Sequence, residues 1–152
     1  MDNAMRSLQD DIHGGLLQAV ADVAEDIVKD MKATLKANDH IDTGALYESI
    51  RHDTSEDADG VTSYIIADAQ NEKNGAYYAE FLELGTGAAH GRPGGRIGTW
   101  RYQDRYGEWH TTDGMDADPF IEPSLQRHIG KLGDAVEDVL YDVAKYARTV
   151  KL

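Results

Sequence analysis

The sequence predicts an α+β fold, with long amphipathic helices at the two ends of the chain and two strand hairpins between them. Three observations carry this expectation. Apolar residues recur at steps of three and four over 8–35 and again over 121–150. Two stretches of strand-forming residues flank polar or glycine-containing turns, and no shift of composition divides the 152 residues. The expectation is one domain, 1–152, in which 88–114 forms an inserted loop and hairpin arm.

The first helix is read from Leu8, Ile12, Leu16, Val20, Val23, Ile27, Met31 and Leu35, with charged residues between them. Gly14 and Gly15 each cost roughly 1 kcal/mol against alanine, which moves the firm start of the helix to Leu16. Asn38, Asp39 and His40 end it. In IDTGALYESI, Asp42 or Thr43 caps a short helical turn that Glu48 or Ser49 closes. Residues 50–54, the polar turn SEDADG and residues 61–67 then form a hairpin, because Val61, Tyr64, Ile65 and Ile66 favour strands. DAQNEKNG is a loop.

YYAEFLELGTG fits a short helix, with Tyr77, Phe81 and Leu84 on one face, Tyr78 and Leu82 beside it, and Glu80 and Glu83 on another. Gly85 is its left-handed stop. Alternation of Tyr78, Leu82 and Leu84 also fits a strand. The glycine-rich GAAHGRPGGRIG reads as a mobile surface loop. TWRYQ and EWHTT flank a four-residue loop, DRYG, which sets Tyr102 opposite Trp109 and Arg101 opposite His110. Pro119 and Pro123 lie before and within the first turn of a long final helix marked by Ile121, Leu125, Ile129, Leu132, Val136, Val139, Val143, Ala147 and Val150. Gly130 and Gly133 weaken that helix and mark a bend or a close backbone approach. Tyr77, Phe81, Leu82, Phe120 and Leu125 are candidate core residues.

A chain without cysteine has neither disulfides nor thiolate metal sites. Its opening residues, MDNAMRSLQDD, are acidic and unlike a secretory signal, and no apolar run approaches the roughly 18 residues that span a bilayer. A soluble protein with no membrane partner is expected. The formal net charge of -13 opposes broad binding to nucleic acid or anionic lipid, since phosphates are bound by lysine and arginine. Aspartate outnumbers glutamate and lysine is scarce, a composition suited to high salt, though also to a merely acidic surface.

Against this acidic background Arg92, Arg96, Arg101 and Arg105 stand with Trp100, Tyr102 and Trp109 in one arm, the composition of interface anchors. Neutralisation of nearby acid is the plainer reading of the arginines. His90 and His110 could hold a metal with Asp113 or Asp116, but lack a tight two-histidine spacing. Glu80 and Glu83 could serve as acid and base, yet at three residues apart suit a solvated helix face. HGRPGGR offers amides and arginine to a phosphate without the lysine and hydroxyl of a nucleotide loop. No cofactor is expected. Thr43 and Thr86 are read as satisfying backbone.

Three boxes recur in a recognisable order: Thr43, Gly44 and Leu46; then Tyr78, Ala79, Glu83, Gly85 and Thr86; then Pro119, Phe120 and Pro123. In order and spacing the chain from about Asp42 onward resembles the tail-completion, or head-tail joining, proteins of long-tailed double-stranded DNA phages. Each box is short, and their combination carries the specificity. The resemblance implies a small antiparallel sheet packed on long helices, in a structural virion protein of the neck rather than an enzyme. It implies a homo-oligomeric ring, commonly sixfold, between the head-tail connector or adaptor and the tail terminator or tail tube. DNA would pass through its lumen without specific binding. Assembly would take place in the host cytoplasm. The 88–114 arm is more elaborate than the family's minimal form. A small phage-associated metal-dependent hydrolase or nuclease is the alternative.

The acidic composition generates a salt prediction. If it reflects a halophilic source, the urea midpoint rises several-fold between dilute buffer and molar KCl; an indifferent midpoint assigns the charge to an ordinary acidic surface.

Overall fold

Helix α1 (Asp2–Ala37) is the spine on which the first strand pair and the two C-terminal helices pack. The computed structural model describes residues 2–57, 60–72 and 75–150. Ala58, Asp59, Lys73 and Asn74, which belong to the expected hairpin turn and loop, lie outside the described residues, as do the side chains of Asp2, Thr149 and Val150. After α1 come α2 (Ala45–Ser49), the strands β1 (Ile50–Asp57) and β2 (Gly60–Ala67), α3 (Tyr78–Leu84) and a 3-10 turn (Ala88–His90). The strands β3 (Trp100–Gln103) and β4 (Trp109–Thr112) follow, then α4 (Ile121–His128) and α5 (Gly130–Val150). This is the expected α+β architecture, with two separate two-stranded antiparallel sheets.

The buried stripe of α1 runs through Val23, Ile27, Met31 and Leu35, with Ala24 and Val28 beside it, so the three-and-four spacing maps onto a real face. That face meets β1, β2 and α4, while the preceding turns pack on α5. The helix is not interrupted at Gly14 and Gly15 as expected. A Cβ on Gly15 would come within 2.7 Å of Val139 Cγ1, so the missing side chain lets α5 approach, and the packing gained offsets the lost helix propensity. α1 stops in a Schellman arrangement: Asp39 takes a positive φ of 57°, and the His40 N–H donates to the Leu35 carbonyl at 2.9 Å. Asn38 Nδ2 and His40 Nε2 both reach Asp118, tying this end to the segment before α4.

Strands β1 and β2 pair from Ile50 with Ala67 to Asp57 with Gly60, several residues beyond the expected first strand. Their inner face carries Ile50, His52 and Thr54 opposite Ala67, Ile65 and Ser63. Ile50 joins Leu46, Ala79, Leu82 and Phe120 with the α1 stripe in one core. Phe120, Met31 and Leu35 are its largest fully enclosed side chains. Two expectations fail here. Tyr77 is about half exposed rather than core, because α3 turns Ala79 and Leu82 inward and Tyr77 spends its backbone on a bridge to Gln70. The final helix is two helices: beyond His128 the ladder breaks at Ile129, whose carbonyl accepts from Leu132 N–H in a tighter turn, and α5 sets off from Gly130. Pro123 lies in the first turn of α4, where its missing N–H is harmless.

No residue of the segment leading into α4 caps it, since Phe120 at the N-cap makes no side-chain bond. Glu83 closes that end from α3. Its Oε2 accepts from the N–H groups of Phe120 and Ile121, and its Oε1 from Glu122, all at 2.9 Å. An anion on the free amides of a helix start is stabilised by both hydrogen bonds and the helix dipole. Glu83 is therefore a structural clamp rather than part of a solvated face. Glu83→Ala should lower stability by about 1.5–3 kcal/mol, read as a drop in urea midpoint, while Glu80→Ala costs less than half as much.

Candidate functional site

The arm leaves the domain at the end of α3. Gly85 has φ 68° and ψ -173°, so the expected positive φ is present but the chain runs extended instead of turning back as a left-handed cap. A Cβ there would meet the Met115 carbonyl oxygen at 2.7 Å. Thr86 then pairs with Met115, with Thr86 N–H donating to the Met115 carbonyl at 2.9 Å and Met115 N–H to the Thr86 carbonyl at 3.1 Å. Outgoing and returning chains thus touch, and residues 87–114 lie between this bridged pair.

The glycine-rich part of the arm is tied down by its own bonds, with Ala88–His90 as a 3-10 turn where no helix was expected. Ala88 N–H donates to the Arg96 carbonyl at 2.9 Å. Arg92 folds back over α3, donating to the Gly85 carbonyl at 2.9 Å and to the Glu80 carboxylate. His90 stands between two carboxylates, Nδ1 at 2.7 Å from Asp116 and Nε2 at 3.2 Å from Asp113. The Asp116 bond above all, then that to Asp113, raises the His90 pKa, and the same contact lowers that of Asp113.

The β3–β4 hairpin is one register off the expectation: Tyr102 pairs with His110 and Gln103 with Trp109, while Arg101 faces Thr111. The reason is the turn. Asp104 N–H donates to the Glu108 carbonyl at 2.9 Å, leaving only Arg105, Tyr106 and Gly107 in the loop. Gly107, at φ 87°, supplies the left-handed residue that three-residue hairpin loops need. Asp104 Oδ1 accepts from Tyr106 and Glu108 N–H at 2.9 and 2.8 Å, fixing the turn from inside.

The predicted anchors divide into two kinds. Arg92 and Arg105 are held within the chain, Arg105 by Asp42 at 2.7 Å and by the Tyr106 ring, so the acid-neutralising reading fits these two. Arg96 and Arg101 have no acidic partner among the described residues and lie over Trp100 and Trp109, 5.4 and 5.0 Å from the ring centroids. Trp109 is 59% exposed and Ile97 88%, and Tyr102 stacks on His110 with centroids 5.3 Å apart. Because Asp42 captures the arm's tip, a cavity of about 410 Å³ remains between hairpin and body, lined by His40, Leu46, Phe81 and Met115 among others. An adjoining cleft of about 770 Å³ reaches Tyr102, Asp104 and Glu72.

The three motif boxes converge at the arm's base. Leu46, Ala79 and Phe120 are buried together, Gly44 precedes α2 at φ 83°, and Thr43 Oγ1 accepts from Ala45 N–H at 3.3 Å. Tyr78 packs at the core's edge, Thr86 Oγ1 accepts from Met115 N–H, and Pro119 leads into Phe120 under the Glu83 clamp. His90 and His110 do not share a site: His110 Nε2 lies 2.8 Å from Asp104 Oδ2 instead. Sequence reasoning named Glu83 as a motif residue without its clamp role, which an α4 start lacking a capping side chain of its own could have signalled, and it missed Asp104.

No family model, curated protein or solved structure matches the chain.

The His90 clip gives a pH prediction. A raised His90 pKa stabilises the arm base fully below about pH 6.5, and that support is lost as pH rises through the folded value. The lowered Asp113 pKa adds support above about pH 4, lost on further acidification. His90 should titrate by NMR above 6.5 and fall back toward it in Asp116→Asn; an unchanged midpoint in that variant would show the Asp116 contact absent in solution.

Proposed function

We propose that the chain is a structural virion protein of a tailed virus, assembling as a ring at the head-tail interface. In this reading the ring joins the portal or connector to the tail terminator or tail tube, and DNA passes through an acidic lumen without sticking. The observation that carries it is the arm: arginine over tryptophan, with no acidic partner among the described residues, outside the core of an otherwise acidic chain. Desolvated arginine and tryptophan are the residues on which interfaces concentrate binding energy.

In this reading the arm's receiving surface is the acidic side of α5 on a neighbouring copy. The outer side of α5 exposes Asp134, Glu137, Asp138 and Tyr141, spaced at helical steps, with Leu140 beside them. An arm that engages a different surface on the next copy makes a head-to-tail contact, and such contacts close into rings when the rotation allows. The meeting of the three motif boxes under the Glu83 clamp further supports the resemblance. No described helix is long and apolar enough to cross a membrane.

Native mass spectrometry in high salt and on a tail-tube template tests the reading. A ring is expected from the full chain. Because Thr86 and Met115 are already paired, replacing 88–113 by a tight turn should leave the core folded and yield monomer. Arg96→Ala with Arg101→Ala should weaken assembly at least tenfold. A ring that survives loss of the arm overturns the clasp; turnover of nucleic acid by a metal-loaded monomer would carry the hydrolase instead.

A further inference from the structure

All six histidines contact a carboxylate: His13 with Glu56, His40 with Asp118, His52 with Glu25, His90 with Asp113 and Asp116, His110 with Asp104, and His128 with Asp30. Most of these geometries suit a proton rather than an ion. At His90 the two carboxylates lie against different ring nitrogens, so they cannot converge on one centre. At His128 the Asp30 carboxylate is already held by Arg127 at 2.6 Å, and Asp26 by Lys131 at 3.4 Å. His52 shares Glu25 with Lys29.

His110 differs. One ligand atom each from Asp104, Glu108 and His110 lies within 4.8 Å of the others, and among the described residues no lysine or arginine pairs with either acid. Pairing and alternation put all three on one face of the hairpin, because Asp104 stands opposite Glu108 and His110 follows two residues on. Two of the three are positioned in advance. Asp104 has Oδ1 fixed by two turn amides, which leaves Oδ2 directed at His110 Nε2. The imidazole is backed by the stacked Tyr102 ring. The nearby Arg105 guanidinium is engaged by Asp42 and Tyr106.

We propose that Asp104, Glu108 and His110 form a binding site for one divalent transition cation of the zinc class at the tip of the arm. Bonds of about 2.0–2.2 Å require donors about 3–4 Å apart, which a rotation of the exposed Glu108 side chain supplies. Imidazole with two carboxylates selects borderline cations over calcium and magnesium, which take all-oxygen shells. Three protein ligands leave at least one position open to water. The ion replaces the proton between His110 and Asp104 and locks the turn against both strands, so binding weakens in acid.

The isolated chain carries the test, whether or not it forms a ring. Titration calorimetry with zinc chloride in a non-chelating buffer should show one site per chain, undisturbed by millimolar calcium. His110→Ala and the near-isosteric Glu108→Gln should each weaken it about tenfold or more, since loss of a ligand exceeds loss of a supporting partner. His90→Ala should leave it unchanged, and circular dichroism should confirm that each variant folds. Three results would overturn the site: no zinc isotherm, an isotherm retained in both arm variants, or displacement by calcium, which marks diffuse binding to an acidic surface.

Discussion

A carboxylate from one helix closing the open end of another fixes the centre of this molecule. Glu83, near the end of α3, takes three amides at the start of α4, and together with the Asp118 N–H bond to the Leu82 carbonyl it holds Leu82 beside Phe120. Gly85 follows two residues later, pressed against the backbone at Met115, so the joint of the arm lies directly beside the clamp. Core, joint and arm are therefore mechanically one chain of cause. The core lends rigidity to the joint, and the joint presents the arm.

Electrostatics around this centre are arranged as local pairs within a strongly acidic whole. Arg51 grips Asp68 in a two-point pair at 2.7 and 2.8 Å on the solvent side of β1 and β2, while His52 on the other side reaches Glu25 of α1. His40 and Asn38 hold the end of α1 to Asp118, and Arg127 holds α4 to Asp30. Exposed pairs of this kind each contribute little, on the order of 0–1 kcal/mol. Their placement matters more than their sum, because each spans two elements and so penalises sliding of one against the other. Arg96 and Arg101 stand outside this pattern, lying over tryptophan rings with no acidic partner among the described residues.

Much of the scaffold was legible in the amino-acid order. The α1 stripe from Val23 to Leu35 and the strand pair around Ile65 follow directly from periods of 3.6 and 2, because one apolar face had to be covered. What escaped was set by contacts between distant residues. Gly15 reads as a helix defect until Val139 is seen over it, and Tyr77 reads as core until Ala79 and Leu82 claim the inward face. The β3–β4 register hinged on whether Asp104 pairs with Glu108, a single hydrogen bond that the string of letters does not display. At the candidate site the arginines and aromatics were visible as composition. Their division into held and unheld cations was not, since it depends on where Glu80 and Asp42 fall in space.

The dependence of α1 on partners at both ends of the sequence has a consequence for synthesis. Its stripe is covered partly by β1 and β2, made soon after it, and partly by α4 and α5, made last. At 5–20 residues per second, the stretch between α1 and α5 takes on the order of 10 s to emerge. During that interval the turns around Leu16 and Val20 lack the cover that α5 gives them in the folded chain. A long acidic helix is a good vehicle for such a wait: aspartates along its other face repel neighbouring nascent chains while the stripe stays open. The acidic surface of the chain then also limits association between unfinished copies while the protein is being made.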